Sequence, residues 1–441
     1  MKPDKQLRNR VAARPVRALV LFGSCAATAL LAGCSSLTVS AQTADDSAAS
    51  PTTGRHLAQR TLQAVKPPPA PTPSPTPTAD AVAGSAAPQV APRSSKVVDA
   101  RLRPKGKRVS ISGSGDILIH NSLSEQARDA GSDAKYNFAP MLAGAKARIS
   151  AADFAICHLE TPFSDPAVVT EFPHLYVRPE LARGIKATGF DQCSTASNWS
   201  LDKGSEGVTR TLDALDAAGV GHAGTARSAA EAATPKITMV KGVPVAHLSY
   251  SWDFNGVRPP EGREWEANVI DPDRVVAQAK RARQLGAKIV VASLHMGDPD
   301  SHEISQYQRS VAERVTKSGQ VDLIIGHNSH QVQPVEMING VWVVFGHGNL
   351  ISGQFDDWVR NREGIISQFD FAERMDGRFA VVGATAFPIL DTSSPHTIND
   401  LVAAWPKKDP PQRWVEAYDR TKETVLASGA AAHGFTVAAH R

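Results

Sequence analysis

The stretch "DLIIGHNSHQVQP", Asp322–Pro334, carries two histidines three residues apart directly after a short apolar run. A run of that length reads as a buried strand, and in open α/β sheets ligands bind outside the carboxyl ends of the strands. His327 and His330 are therefore either metal ligands at a strand end or polar residues in a turn. The remainder of the chain has to choose.

The same pattern recurs from Lys107 onward. "RVSISGSGDILIH", "DFAICHLET", "DQCSTASN", "VPVAHLSYSW", "KIVVASLHMG" and "VWVVFGHGNL" read as strands with their loops. Between them lie amphipathic helical stretches such as "PELARGIKATGF", "EGVTRTLDALDAAGV", "DRVVAQAKRARQLGA" and "ISQYQRSVAERVTKSG". That succession predicts an α/β fold with a mostly parallel sheet flanked by helices. "IISQFDF" and "FAVVGATAFPI" add antiparallel strands, and a second sheet is expected to pack on the first. Five runs end in side chains able to bind metal: Asp116, Glu160, Asn198, His295, and the pair His327 with His330. One polar residue at a strand end is ordinary, because strands end in polar loops. Five in succession favour a metal site, and mixed carboxylate, amide and imidazole ligands suit two divalent ions of Mn, Fe or Zn. The lack of thiolates argues against a structural zinc.

The chain begins "MKPDKQLRNRVAARPVR", with six basic residues and one acidic residue, and runs into the uncharged "ALVLFGSCAATALLAG". These are the n-region and h-region of a secretory signal. The run is short for a membrane span, which takes about 20 residues, and it stops at Leu31-Ala32-Gly33-Cys34. That sequence resembles a bacterial lipobox, with Cys34 as the lipidated first residue of a chain held on the outer face of the cell membrane. Removing residues 1–33 takes the net charge from +4 to −1, and nothing points to a nucleic-acid partner. Residues 34–106 are rich in Ala, Ser, Thr and Pro, with "KPPPAPTPSPTPTAD" at their centre, and read as an extended tether. Residues 107–390 form the expected main domain. Residues 391–441 read as a helical appendage with a loose tail, in which His433 and His440 face solvent. Cys157 and Cys193 are left to the exported domain, where a disulfide is possible. Each also ends an apolar run as a small buried residue would, so the bond stays open.

With these residues placed, the chain resembles the CapA-type poly-γ-glutamate (capsule) biosynthesis proteins, distant relatives of the calcineurin-like metallophosphoesterases. The resemblance covers Val109 to Pro388 and rests on "GDILIH", "HLET", "ASNWSLDKGSEGVTRTLDALDAAGVGHAGTA", "HMG", "GHNSHQVQPVE" and "FGHGNL". It implies a four-layer α/β/β/α sandwich with a two-metal centre between the sheets. By position it implies Asp116 and Glu160 as carboxylate ligands, Glu160 bridging, with Asn198, His295, His327 and His330 completing the shell. It also implies an anionic envelope polymer and its synthesis machinery as partners.

Two positions depart from the family pattern. His158 stands where the pattern has Asn before Leu-Glu, and "ASNWSLD" stands where it has Asn-Asn-His, so that Trp199 replaces the histidine. In the phosphoesterase relatives that histidine assists the leaving group as an acid, a role worth about 10²–10⁴-fold. The indole N–H does not titrate and cannot fill it. Three readings stay open. Another residue protonates the leaving group, with His120, His302 and His347 as candidates; or Trp199 walls a ligand pocket whose hydrolysis is weak or absent; or it packs against a loop. An accessory protein that binds polymer without turnover competes with the hydrolase. The long loop Ser251–Asp271, with two tryptophans, could overhang the site as a lid.

Overall fold

A computed structural model describes residues 102–440 apart from 104, 133–134, 165–174 and 407. The signal sequence, Cys34 and the tether as far as residue 101 lie outside the described residues. The chain builds one sheet, then a second, then returns to the first. Strands β1 (Arg108–Leu118), β2 (Phe154–Leu159), β3 (Gln192–Ser194) and β4 (Gly221–Ala223) run parallel side by side. Strands β5 (Lys236–Val240), β6 (Val243–Ser251), β7 (Ile289–His295), β8 (Leu323–His327), β9 (Val335–Ile338) and β10 (Val341–Val344) make the second sheet, in the order β5-β6-β7-β8-β10-β9. Strands β11 (Asn349–Ser352), β12 (Glu363–Glu373), β13 (Phe379–Ser393), β14 (His396–Asp400) and β15 (Phe435–Val437) complete the first.

Alternation along the strands sorts the core into three layers of packing. Ala155, Cys157 and Leu159 of β2 meet helices Asn121–Asp129, Leu181–Thr188 and Gly204–Ala218. Val290, Ala292 and Leu294 of β7 meet helices Pro272–Gln284 and Gln306–Lys317. The intervening residues, Phe154 and Ile156 of β2, Ile289 and Val291 of β7, and Leu323 and Ile325 of β8, pack sheet against sheet. The architecture is thus helices, sheet, sheet, helices, the expected four-layer sandwich. Period 2 carries the inter-sheet face onward to His158, His295 and His327 at the strand ends.

Asp116 reaches this face by an irregularity. Before it, Val109 and Ile111 of β1 face the second sheet, whereas after it Ile117 and Ile119 face the helices. The register of β1 against β2 shifts between Gly113 and Asp116. This bulge reverses the parity of the strand and turns the Asp116 side chain inward. Gly115 makes it possible, because a Cβ there would collide with the backbone of Gly348.

The structure changes two sequence-based expectations and decides a third point that the sequence left open. "VWVVFGHGNL" is two strands in different sheets, β10 and β11, with Phe345–Gly348 crossing between them. Residues 391–441 are not an appendage with a loose tail. Asp391 lies within β13, helix Gln412–Leu426 follows, and β15 pairs with β13 in parallel. Third, Cys157 and Cys193, Cα partners on β2 and β3 at 4.4 Å, form a disulfide. Phe435 of β15 is buried, with its ring 5.3 Å from Trp342 and 6.1 Å from Phe369. Phe435→Ala should therefore cost about 3–5 kcal/mol, as for other large-to-small core changes. A surface residue would cost within about 0.5 kcal/mol, and the urea midpoint separates the two.

Candidate metal centre

The loop after β8 carries the densest chemistry and the most constrained backbone. Asn328 and His330 adopt positive φ, 85° and 53°, a conformation that costs energy in residues other than glycine. The turn is held there by its contacts. The Asn328 side chain donates to the Gly297 carbonyl at 2.6 Å, and the Asn328 N–H points to Asp116 Oδ2 at 3.4 Å. His327 Nδ1 lies 3.1 Å from Asp116 Oδ1, and His330 Nδ1 lies 3.2 Å from Asp116 Oδ2. One carboxylate from the first sheet is thereby gripped by two imidazoles from the second.

Glu160, just past β2, is fully buried, and His330 Nε2 lies 3.8 Å from its Oε1. Neither Glu160 oxygen has a hydrogen-bond partner, and neither does His327 Nε2. Buried polar atoms are normally paired, so three unpaired acceptors or donors in one place require an explanation. A divalent cation supplies one, since these are the donor types that bind it. Asp116, Glu160 and His330 place one ligand atom each within 4.8 Å of one another, as do Asp116, His158 and His327. Asp116, not Glu160, is common to both groups. The second group is not a chelate as it stands. The rings of His158 and His327 are stacked, centroids 4.0 Å apart and planes 14° apart, and a ring nitrogen binds metal in its own plane. Two stacked rings cannot both come within about 2.1 Å of one ion.

His158 instead belongs to a hydrogen-bonded chain. Its Nδ1 lies 2.6 Å from Ser194 Oγ and its Nε2 2.9 Å from His295 Nδ1. His295 Nε2 lies 3.0 Å from Asn198 Oδ1, and the Asn198 amide donates to Asn255 at 3.2 Å. Every link is satisfied when Ser194 donates to His158 and each neutral imidazole donates onward from Nε2. His295 and Asn198 are therefore brought beside the site, linked to it through His158. The loop Ser251–Asp271 meets them through Asn255, while Phe254 is buried against Leu201, Val208 and Leu212.

The remaining sequence candidates separate clearly. His347 is buried with both nitrogens engaged, by the Gly326 carbonyl and Ser367 Oγ. His302 is a half-exposed partner of Glu303. His120 Nδ1 lies 3.0 Å from the Gly353 N–H and 3.2 Å from the Leu118 carbonyl, so it is held by backbone on both sides. Trp199 is half-buried, and its indole N–H favours the ionised form of Glu160. Its contact with the site is polar, not only a wall. Sequence reasoning noted His158 only as a departure from the family pattern and passed over Asp300 and Asn349, whose roles depend on neighbours distant in the chain.

Residues 110–354, more than half of the chain, match the family described as bacterial capsule synthesis protein PGA_cap, and the chain belongs to that family. It is 24% identical over 329 residues to the PGA biosynthesis protein CapA of Bacillus subtilis, spanning 72% of this chain and 79% of that one. It is 24% identical over 199 residues to the capsule biosynthesis protein CapA of Bacillus anthracis, 44% of this chain and 48% of that one. Among solved structures, the NAD nucleotidase of Haemophilus influenzae superposes with a TM-score of 0.41 at 12% identity, over 76% of this chain and 65% of the other. The calcineurin-like phosphoesterase YfkN from Bacillus subtilis does so at 0.40 and 15%, over 73% and 98%.

Electrostatics follow from the packing. Burial alone would raise the Asp116 carboxyl, but hydrogen bonds from His327 and His330 outweigh it and hold Asp116 well below the carboxylate range. Burial pushes Glu160 up to about 8. Burial would lower His330, yet Glu160 and Asp116 raise it to about 10. Burial lowers His120 to about 4 and His247, His295 and His347 to about 3. Stability of the metal-free protein should therefore peak near pH 6.5. Below that, the four imidazoles stay neutral when folded but take up protons once unfolded, so stability falls as pH falls from 6.5. They outnumber the buried carboxyls Glu160 and Asp391, raised by burial to about 8 and about 7, which act in the opposite sense. Above 6.5, Glu160 and His330 keep protons that the unfolded chain releases, so stability falls as pH rises towards about 8 and 10. Urea unfolding in EDTA from pH 4 to 9 should show both limbs, and Glu160→Gln should flatten the upper one.

Proposed function

We propose that the protein is an exported, lipid-anchored, metal-dependent hydrolase that acts in making a capsule or poly-γ-glutamate-type envelope polymer. The observation that carries this reading is the trio of unpaired buried atoms, both Glu160 oxygens and His327 Nε2, beside a buried Asp116. Two divalent transition-metal ions of Mn, Fe or Zn bound there would polarise a phosphoryl or acyl oxygen and activate water. The chain's own residues set the conditions. Asp116 and Glu160 supply negative charge, His327 and His330 supply imidazole nitrogens, and His158 and His295 hold one another in register beneath them. The closed inter-sheet core keeps bulk water from the far side of the site.

Proton supply to the leaving group is the weak point. His347 has no free nitrogen, and His120, held near about 4, is neutral at physiological pH and a poor acid. Hydrolysis should therefore favour leaving groups that need no proton, with alkyl esters or amides slower by about 10²–10⁴-fold. The same observation favours a second reading, a metal-binding accessory that holds an anionic polymer without turning it over.

One experiment addresses both. Elemental analysis of the purified protein should find about two transition-metal equivalents, lost in Asp116→Asn and His327→Ala. A screen of aryl and alkyl phosphoesters and γ-linked peptides should then show turnover of aryl esters that Glu160→Gln abolishes. Bound metal with polymer binding but no turnover selects the accessory; no metal, even after reconstitution, defeats both readings. The anchor is tested separately: Cys34→Ala should move the protein from the membrane fraction to the soluble one.

A further inference from the structure

We propose that Asn349 is a positioning residue that fixes His330 with its proton on Nδ1 and its bare Nε2 turned to the metal beside Glu160. The inference rests on the metal-centre reading and adds to it the residue that orients one ligand. Asn349 is fully buried on β11, in the first sheet, while His330 belongs to the loop after β8 in the second. Asn349 Oδ1 lies 3.1 Å from His330 Nδ1.

The direction of that contact is not a matter of choice. An asparagine amide can be turned end for end, and only its neighbours tell oxygen from nitrogen. Asn349 Nδ2 is surrounded by the Asn361 backbone carbonyl at 2.9 Å, Gln354 Oε1 at 2.7 Å and Ser352 Oγ at 3.1 Å. A carbonyl oxygen can only accept, so the amide nitrogen must face it and the amide oxygen must face His330. Gln354 is oriented in the same way. Its Oε1 also accepts from the Asn361 side-chain amide at 3.0 Å, and that amide donates in turn to the Asp300 carboxylate. Gln331 donates to Asn361 Oδ1 at 2.8 Å. A backbone carbonyl at one end and a carboxylate at the other thus pin three amides in sequence.

The consequence for His330 is direct. Both neighbours of Nδ1, Asn349 Oδ1 and Asp116 Oδ2, are acceptors, so Nδ1 carries a proton. Nε2 is left to face Glu160 Oε1 at 3.8 Å, the position from which an imidazole binds a metal. Partners that hold a ligating histidine through its second nitrogen typically change metal affinity by about 10–100-fold when removed.

The test uses the full-length protein purified in detergent. Zinc affinity is measured by chelator competition for wild type, Asn349→Leu and Asn349→Asp. Long-range proton–nitrogen spectra of zinc-loaded, 15N-histidine-labelled wild type, assigned with His330→Gln, show which His330 nitrogen carries hydrogen. The expected result is a protonated Nδ1 with zinc on Nε2 in the wild type, and a loss of about 10–100-fold both in Asn349→Leu and in Asn349→Asp, whose second oxygen cannot donate to the Asn361 carbonyl. A merely structural role would not fix the hydrogen on Nδ1 of His330 in the wild-type spectrum. Asn349→Leu binding as tightly as wild type, or zinc on Nδ1 of His330, overturns this inference and leaves the metal reading standing. A wild type that binds no metal overturns the metal reading and this one with it. The wild-type spectrum decides even where a variant fails to fold.

Discussion

Asp116 is a carboxylate almost wholly removed from water, and two imidazoles from the opposite sheet are what make its burial tolerable. An isolated buried charge costs several kcal/mol, so its position must be supported from more than one side. The support is distributed. The bulge in β1 turns Asp116 inward, β8 delivers His327, and the strained turn after β8 brings His330 to the other oxygen. The strain at Asn328 and His330 is offset by the contacts that it creates.

Around this contact the inter-sheet space becomes steadily more polar towards the strand ends. Val291 and Ile325 belong to a dry layer, and His295 and His327 lie on the same strands and the same face. Four rings, His295, His158, His327 and His347, stack in sequence with centroids 4.8, 4.0 and 5.7 Å apart. His158 stiffens His327 by stacking and His295 by hydrogen bonding. Its ring thus couples the residues that the sequence had placed at separate strand ends.

Much of this was legible in the sequence because it obeys short periods. Apolar runs marked β2, β7 and β8, and the first polar residue after each marked the site. The parts that were not legible depend on contacts that no local pattern records. The bulge that reverses Asp116 has no signature beyond "GSGD". The crossing at Phe345–Gly348 reads as one continuous strand because both sheets want the same apolar residues. β15 is only three residues long and becomes a strand by pairing with β13. Asn349 gained its place through Asn361 and Gln354, later in the chain, and through Asp300, far before it.

The site and the fold draw on different sources of stability. The inter-sheet core of Phe154, Ile156, Val291, Ile325 and Phe369 is closed without any help from the polar residues above it. Small metal domains that unfold without their ion lack such a core. Here an ion would bridge Asp116 and Glu160 of one sheet to His327 and His330 of the other, yet sheet packing does not wait for it. The fold is thus expected to stand on its apolar layers, and the Glu160 oxygens carry a local cost. That cost is the free energy a cation would recover on binding, so the arrangement that slightly weakens the empty protein is the one that strengthens its hold on metal.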